Sequence, residues 1–589
     1  MQSTFDGLYE RSKANAMNGV NLYDIISSRE NILLAFRSIK TNTGSKTRGA
    51  DGLTIADYKI IDEDKFIEGI QNCLLNYRPS MIRRVLIPKE NGKERPLGIP
   101  TMRDRLVQQM FKQVLEPIVE AKFHNHSYGF RPNRSTHHAM ARSVNLVNRK
   151  LQHVIDIDVQ GFFDNVNHRK LIEQLYNIGI KDKRVLTLIN RMLKAEIENE
   201  GIPTKGTVQG GIISPLLANV VLNELDWWIS NQWETFETRR KYGNKSNANA
   251  SLKKFSKLKP MYIVRYADDF KIFTNNHVNA EKIYHATKSY LWENLHLEIS
   301  PEKSSITNLR KRSSEFLGFE IRGMKKRNKY LAKTNIMKKK KDKILARGKE
   351  LIKEIRKNPT PESIYKMNSW ILGIHNYNRI ATHVSIDFGE IDYLLNRVMY
   401  NRFKAIGKHC VPKSENKTYK KLYGGSRRKT WQIKDAHLFP ISYIKNKIPI
   451  NFSQEICNYT HIGRNKIFSK LGKSIESQIH LLMNAQPQNK SIEYCDNRIS
   501  RYSMQNGKCA VTGQFLMVEE VHCHHVIPIK DGGKDTFDNL IIMHLDMHKV
   551  VHATDDETIR NHSVRLTNKG IDKINKLRKI LGLFAITKD

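Results

Sequence analysis

Cysteine is scarce, with six residues in a chain of 589, spread from Cys73 to Cys523. So few thiols cannot staple a chain of this length, which excludes a disulfide framework and points to a reducing compartment. Long apolar runs are missing as well. None approaches the roughly 20 residues of a membrane-spanning helix, so no membrane partner is expected. The opening residues lack the apolar core of a signal peptide, and Asp6 and Glu10 come too early for an acid-poor transit peptide. Acidic residues are short too, 59 against 99 lysines and arginines, for a net charge of +40. That surplus argues against a small-molecule enzyme with an ordinary surface. It fits a protein that lies along a polyanion, because neutralising phosphates releases condensed counterions. The chain is nonetheless built to fold: 39% is hydrophobic, with 22 Phe, 22 Tyr and 6 Trp. Its length is too great for one core and suggests about four domains.

Periodicity gives a coarse map. Residues 21–40 carry apolar residues at helical spacing, and 81–100 (MIRRVLIPKENGKERPLGIP) read as two strands joined by a Gly-centred turn. Helical patterns occupy 103–122, 134–150 and 215–233. The run LQHVIDIDV alternates as a strand with Asp156 and Asp158 on one face. The basic stretch 239–259 reads as an inserted loop or a solvated face. From 324 to 357 the sequence is dense in lysine and helical in pattern, and 361–405 suggests aromatic-rich helices. The stretch 410–490 is basic and without clear period. Histidines and cysteines concentrate between Cys509 and His552.

The sharpest chemical signal is Tyr266-Ala267-Asp268-Asp269 at the turn of an apolar hairpin. Adjacent carboxylates repel, and a cation between them removes the repulsion. Asp158 lies on a second apolar strand, followed by Phe162, Phe163 and Asp164. Carboxylates converging from two strands would hold two Mg²⁺ ions, one activating an attacking hydroxyl and one stabilising a leaving oxygen.

These residues lie in blocks that resemble, in order, the group II intron-encoded reverse transcriptases, or maturases. The blocks are LLAFRSIKTNTGSKTRGADG, RRVLIPKENGKERPLGIPTMRDRLVQ, SYGFRPNRSTHHA, IDIDVQGFFDNVNH, GTVQGGIISPLLANVVLNELD, VRYADDF, LEISPEKSSIT and FLGFEIR. The resemblance implies that Asp158, Asp268 and Asp269 are the metal-binding carboxylates. It implies that Lys89 and Arg95 hold the incoming triphosphate, a role a cationic pair suits. Phe163 would exclude a ribose 2′-hydroxyl, and Gln209 would lie near the templating site. The family usually reads Pro-Gln-Gly-Gly, and here Val208 replaces the proline. Lys303 stands where polymerases often place a lysine near the leaving pyrophosphate, although a solvated lysine fits the sequence equally.

The C-terminal set is His524-His525, Asn539, and His548 with His552 at i and i+4, where two imidazoles share a helical face and can share a metal. It resembles the His-Asn-His (HNH) endonucleases, a ββα-metal fold. That likeness implies His524, His548 and His552 as ligands of one divalent metal, Mg²⁺ or similar. It implies His525 as the general base that activates water and Asn539 as the residue that fixes the loop. Relatives often add paired Cys-x-x-Cys zinc ligands. Here Cys509 is followed by Thr512, and His544 and Met547 stand at the second pair, so a four-thiolate structural zinc is not expected.

The expected fold is α+β and multidomain, a right-hand polymerase followed by a DNA-binding region and an HNH nuclease. Its parts are an N-terminal extension of the fingers (1–80), fingers and palm (81–325), a helical thumb or domain X (326–405), a DNA-binding domain (406–490) and the nuclease (491–589). The expected function is RNA-directed DNA synthesis coupled to binding and splicing of an intron RNA and to nicking of target DNA, with dNTPs as substrates. A bacterial cytoplasm suits the sequence, as does an organelle that encodes the protein itself. A splicing-only RNA-binding maturase and a free-standing defence or repair reverse transcriptase are the alternatives. The intact carboxylates weigh against the first, and the nuclease and basic thumb against the second.

Overall fold

The computed structural model describes residues 1–587 apart from 41, 59–61, 89–91, 93, 413–416, 472–474, 486, 488–489 and 564–565. The N-terminal third is helical. Helix Arg29–Lys40 buries Ile32, Ala35, Phe36 and Ile39 along one face, and with helix Gln2–Lys13 it packs on the long helix Met102–Glu120. The expected strand pair is present as Arg83–Pro88 against Glu94–Ile99, antiparallel with Pro88 opposite Glu94. Most of its connecting turn, Lys89 included, falls outside the described residues.

The centre is a four-stranded antiparallel sheet, in the order Tyr262–Tyr266, Asp269–Thr274, His153–Ile157, Ser305–Asn308. The inner strands are apolar on both faces, with Val154, Ile155, Ile157, Ile272 and Phe273 all buried, as a covered sheet requires. Helix Ser214–Asn231 packs against strand Tyr262–Tyr266. The basic insertion at 239–259 is more ordered than a loop, because Lys245–Phe255 forms a helix capped by Asn244.

The lysine-dense stretch departs from expectation. Its first part is β: strands Ser314–Phe316, Phe319–Lys326 and Lys329–Ile336 form one antiparallel sheet, and the helix begins only at Lys338. The alternation that decides it, with Ala332, Thr334 and Ile336 buried between exposed or half-buried neighbours, was hidden by the density of lysine. The expected boundary at 326 therefore cuts a hairpin. Helices Lys338–Lys357, Pro361–Asn378 and Val384–Phe403 follow as a bundle, and Gly348 lets the first and third close. A Cβ there would meet Leu395 at 2.8 Å. The lysines of the first helix do not share one environment. Lys341 pairs with Asp387 at 3.2 Å and Glu390 at 2.9 Å. Lys340 lies 3.5 Å from the centre of the Tyr377 ring, with a buried ammonium that burial pushes down to about 7.

Two apolar cores result among the described residues. One runs continuously from Phe5 to Tyr459, and the other takes in Leu482 to Ile586. The small sheet Lys408–Cys410, Thr430–Ile433 and Ala436–His437 belongs to the first. The segment after it folds back on the N-terminus, where Tyr459 stacks on Tyr9 and donates to Glu116, and Arg464 pairs with Asp6 at 2.7 Å. The second core holds helix Ile492–Met504, strands Val521–His525 and Leu540–His544, and helices Leu545–His552 and Asn568–Ile580. Arg37 and Lys40 reach its Asp496 at 3.2 and 2.7 Å.

Candidate metal centres

The register of the central sheet carries the carboxylates toward one edge, although among the described residues only His524, His548 and His552 bring three ligand atoms within 4.8 Å of one another. Ile157 pairs with Phe270, so one step further along the strands Asp158 comes opposite Asp269, and Asp269 pairs in turn with Tyr266 across the two-residue turn. Ala267 holds φ +58 in that turn, a conformation that is costly for a residue with a Cβ. It is held from behind. Arg265, fully buried, makes a bidentate ion pair with buried Asp226 at 2.6–2.9 Å, takes Asn219 Oδ1 at 2.8 Å, and donates Nη1 to the Ala267 carbonyl at 2.8 Å. Gly129 lies directly against the turn, and its carbonyl accepts from Asn219 Nδ2.

Electrostatics at this edge favour a cation. Asp269 is pushed up to about 6, first by displacement of water around its carboxyl; Lys271 opposes the rise, and the like charges of Asp156, Asp268 and Asp158 reinforce it. Lys271 sits cross-strand from Asp156 and bonds it, while Ser314 donates to the other Asp156 oxygen at 2.9 Å. Asp158 accepts an exposed partner instead, Lys303 at 3.1 Å. Lys303 is thus a neighbour of the carboxylates, though a solvated one. The rise at Asp269, set by burial and reinforced by the carboxylates around it, is one that a divalent ion relieves.

The residues assigned to the nucleotide are partly brought together. Arg95 Nε donates to Gln209 Oε1 at 2.7 Å, and the Gly98 amide donates to the Gln209 carbonyl at 2.7 Å. Val208 packs its methyl groups against Gly98, where a Cβ would stand 2.2 Å away, so the valine closes the loop onto the hairpin. Phe163 is buried edge-on to Phe162 with ring centres 5.5 Å apart, and its carbonyl accepts from the Thr207 amide at 2.6 Å. Lys89 lies outside the described residues.

In the second core, strand alternation parts the adjacent histidines. His524 turns to helix Leu545–His552 and meets the rings of His548 and His552 at 5.4 and 5.2 Å, whereas His525 meets Tyr494 and Asp535. One ligand atom from each of His524, His548 and His552 lies within 4.8 Å of the others. Burial first, then the neighbouring imidazoles, push His524 down to about 4 and His548 to about 3, and His552 also falls, though with Lys530 and Arg578 as its neighbours. All three are neutral near pH 7, the form that ligates. His524 Nε2 is buried without a hydrogen-bond partner among the described residues. An orphaned ring nitrogen beside two other imidazoles fits a metal ligand set. Asn539 ties the loop by accepting from the Ile527 amide at 2.8 Å and donating to the Ile527 and Lys534 carbonyls at 2.9 Å. Cys509 Sγ accepts the Thr512 and His544 amides at 3.4 Å.

Comparison with known proteins finds one family over each of the two segments that hold these residues. The family model for "Reverse transcriptase (RNA-dependent DNA polymerase)" matches residues 87–321, and that for "HNH endonuclease" matches residues 493–554. Protein YkfC of Escherichia coli (strain K12) is 34% identical over 331 residues, which cover 52% of this chain and 84% of YkfC. The group II intron-encoded protein LtrA of Lactococcus lactis subsp. cremoris is 31% identical over 366 residues, 54% of this chain and 59% of LtrA. The chain belongs to the group II intron-encoded reverse transcriptases. An uncharacterized 91 kDa protein in a cob intron of Schizosaccharomyces pombe is 34% identical to this reverse transcriptase over 354 residues, 54% of the chain and 43% of the yeast protein. The chain thus spans a little over half of LtrA and less than half of the yeast protein, and it carries a match to the HNH endonuclease family after its polymerase domain. No helix among its described residues is long and apolar enough to cross a membrane.

Sequence reading missed several residues of these centres. Arg265 and Asp226 stand 39 residues apart, and neither type signals an ion pair until the strand is laid on the helix. Lys271, two places after Asp269, was legible only as a charge inside an otherwise apolar strand. Asp535 was one of several acids in a glycine-rich loop.

Proposed function

We propose that this chain is an RNA-directed DNA polymerase that binds a group II intron RNA, assists its splicing, nicks target DNA and copies the RNA from the nicked end. The observation that supports the reading is the register that carries the strand end at Asp158 to the same sheet edge as the Asp268-Asp269 turn. In this reading the chain is a right hand. Residues 1–80 extend the fingers, 81–325 and the rest of the hairpin to Ile336 are fingers and palm, the helices from Lys338 to Phe403 are the thumb, 406–490 bind DNA and 491–589 cut it. The +40 charge supports a long nucleic-acid path.

Asp158, Asp268 and Asp269 would hold two Mg²⁺ ions, which supply activation of the primer 3′-hydroxyl and stabilisation of the leaving pyrophosphate. Arg95, steadied by Gln209, and Lys89 bind the triphosphate, and Phe163 closes the space that a 2′-hydroxyl would need. At the nuclease, His524, His548 and His552 would hold one divalent ion, and His525 takes the proton of the attacking water. Intron RNA, target DNA and dNTPs are the partners.

The test is primer extension on an RNA template with Mg²⁺. Asp158→Ala or Asp268→Ala should abolish extension and leave RNA binding intact, because the carboxylates serve the metals and the basic surface serves the RNA. Full extension by Asp268→Ala would overturn the assignment.

A further inference from the structure

His525 is gripped on its edge and on its face. Its Nε2 lies 2.7 Å from Asp535 Oδ1. The second Asp535 oxygen accepts the Ser491 hydroxyl, and the Asp535 carbonyl accepts Asn497 Nδ2 at 2.8 Å. The Tyr494 ring stacks on the imidazole at 5.3 Å and 24°, and its hydroxyl donates to the Cys523 carbonyl at 2.9 Å. Ser491 caps helix Ile492–Met504, and Tyr494 and Asn497 lie on it, so one rigid element supports both the ring and the carboxylate. Asn539 anchors the neighbouring Lys534 carbonyl and completes the support.

A carboxylate only accepts, so the hydrogen of a neutral His525 resides on Nε2 and the lone pair on Nδ1. We propose that Asp535 is a positioning residue of the nuclease, fixing the tautomer and the ring angle so that Nδ1 is the nitrogen that takes a proton from water. The inference rests on the nuclease reading above. In the step it serves, the water oxygen bonds to phosphorus, its proton passes to Nδ1, and the P–O3′ bond breaks with its electron pair on the 3′-oxygen. Asp535 also faces the positive imidazolium that this transfer creates, as a carboxylate behind a catalytic histidine does elsewhere.

The experiment uses the full chain and a supercoiled plasmid in Mg²⁺ or Mn²⁺. Nicking, metal content and thermal unfolding are measured for Asp535→Ala, Asp535→Asn, His525→Ala and the double alanine variant. Asp535→Ala should lower kcat about 10–100-fold, the usual loss when the partner of a functional histidine is removed, with KM and bound metal unchanged. Asp535→Asn, which keeps an acceptor oxygen, should recover part of that loss. In the His525→Ala background the Asp535→Ala change should cost nothing more. An equal loss in both backgrounds, or a change in KM or metal content alone, would make Asp535 a loop residue and overturn the inference. A second readout needs no cleavage. The Nε2–H bonded to a carboxylate should give a low-field proton resonance in the wild-type protein that both Asp535→Ala and His525→Ala remove. Its absence from wild type overturns the pair even in a protein that nicks. Its presence in a protein that nicks nothing leaves the pair standing and removes the nuclease reading instead.

Discussion

Gly129→Ala is the most exacting test of how the polymerase carboxylates are held. Gly129 does not hold a positive φ, so the substitution meets no left-handed backbone strain and acts chiefly through space. The added Cβ would stand 2.2 Å from the Ala267 nitrogen, 2.9 Å from the Tyr266 carbonyl carbon and 3.0 Å from the Ala267 Cα. All three are backbone atoms of the turn that carries Asp268 and leads into Asp269. Ordinary contact is 3.4–4 Å, so the turn and the loop must separate by roughly an ångström. The loop cannot yield easily. The Tyr128 amide bonds the Arg265 carbonyl at 2.9 Å, the Arg265 amide bonds the His126 carbonyl at 3.0 Å, and Asn219 holds the Gly129 carbonyl at 2.8 Å. The displacement therefore falls largely on the carboxylates. A misplacement of ~1 Å costs on the order of 10²-fold in rate, or about 2.7 kcal/mol. The overpacking itself should cost about 1–3 kcal/mol of stability. Single-turnover primer extension across a Mg²⁺ titration reads the first quantity, thermal unfolding the second, and filter binding checks that RNA affinity is unchanged. Gly69→Ala, in a helix with nothing within 4 Å of the new methyl, is the control. Extension within twofold of wild type at every Mg²⁺ concentration would refute the reasoning.

Further outcomes are expected. Phe163→Val should raise incorporation of ribonucleotides relative to deoxyribonucleotides in competition on one primed template; an unchanged ratio with lowered stability would make Phe163 purely a core residue, as its burial permits. Reversing Lys338, Lys339 and Lys349 to glutamate, all exposed on the first bundle helix, should weaken RNA binding and flatten its salt dependence by about 0.7–0.9 for each lost phosphate contact. Reversing Lys341 should instead destabilise the bundle by setting like charges against Asp387 and Glu390, which a melting curve will separate from the RNA effect. Arg265→Met should cost about 3–5 kcal/mol by stranding buried Asp226, and adding Asp226→Leu should restore most of the stability. Primer extension should stay impaired in the double variant, because the Ala267 carbonyl still lacks its donor; full recovery would mean that the pair serves folding alone.

Much of the site could be read before any fold was known, because its chemistry is local. Asp268 and Asp269 are neighbours in sequence, Asp158 ends an apolar strand, and His548 and His552 share a helical face by spacing alone. What escaped reading depends on pairings between distant elements. The direction of Lys340 and Lys341 is set by Tyr377 and by Asp387 and Glu390 on the other bundle helices, so a run of four lysines looks uniform until the bundle closes. The strand Lys329–Ile336 was masked in the same way, since its lysines occupy alternate open positions and suggest a solvated helix. Asp535 acquires its meaning only when strand Val521–His525 turns His525 toward it. Elements were therefore more legible than the contacts that set their electrostatics.

The separation of the two apolar cores bears on inheritance. Residues from Phe5 to Tyr459 bury one another without help from the segment after Leu482, and that segment closes its own core from helix, hairpin and helix. The ties at Asp496 are ionic. A deletion that removes the HNH domain should therefore leave the first core closed among the described residues, with loss of the ion pairs that Arg37 and Lys40 make with Asp496. Loss or gain of that domain should then be tolerated by the fold of the polymerase domain, because each buries its own core.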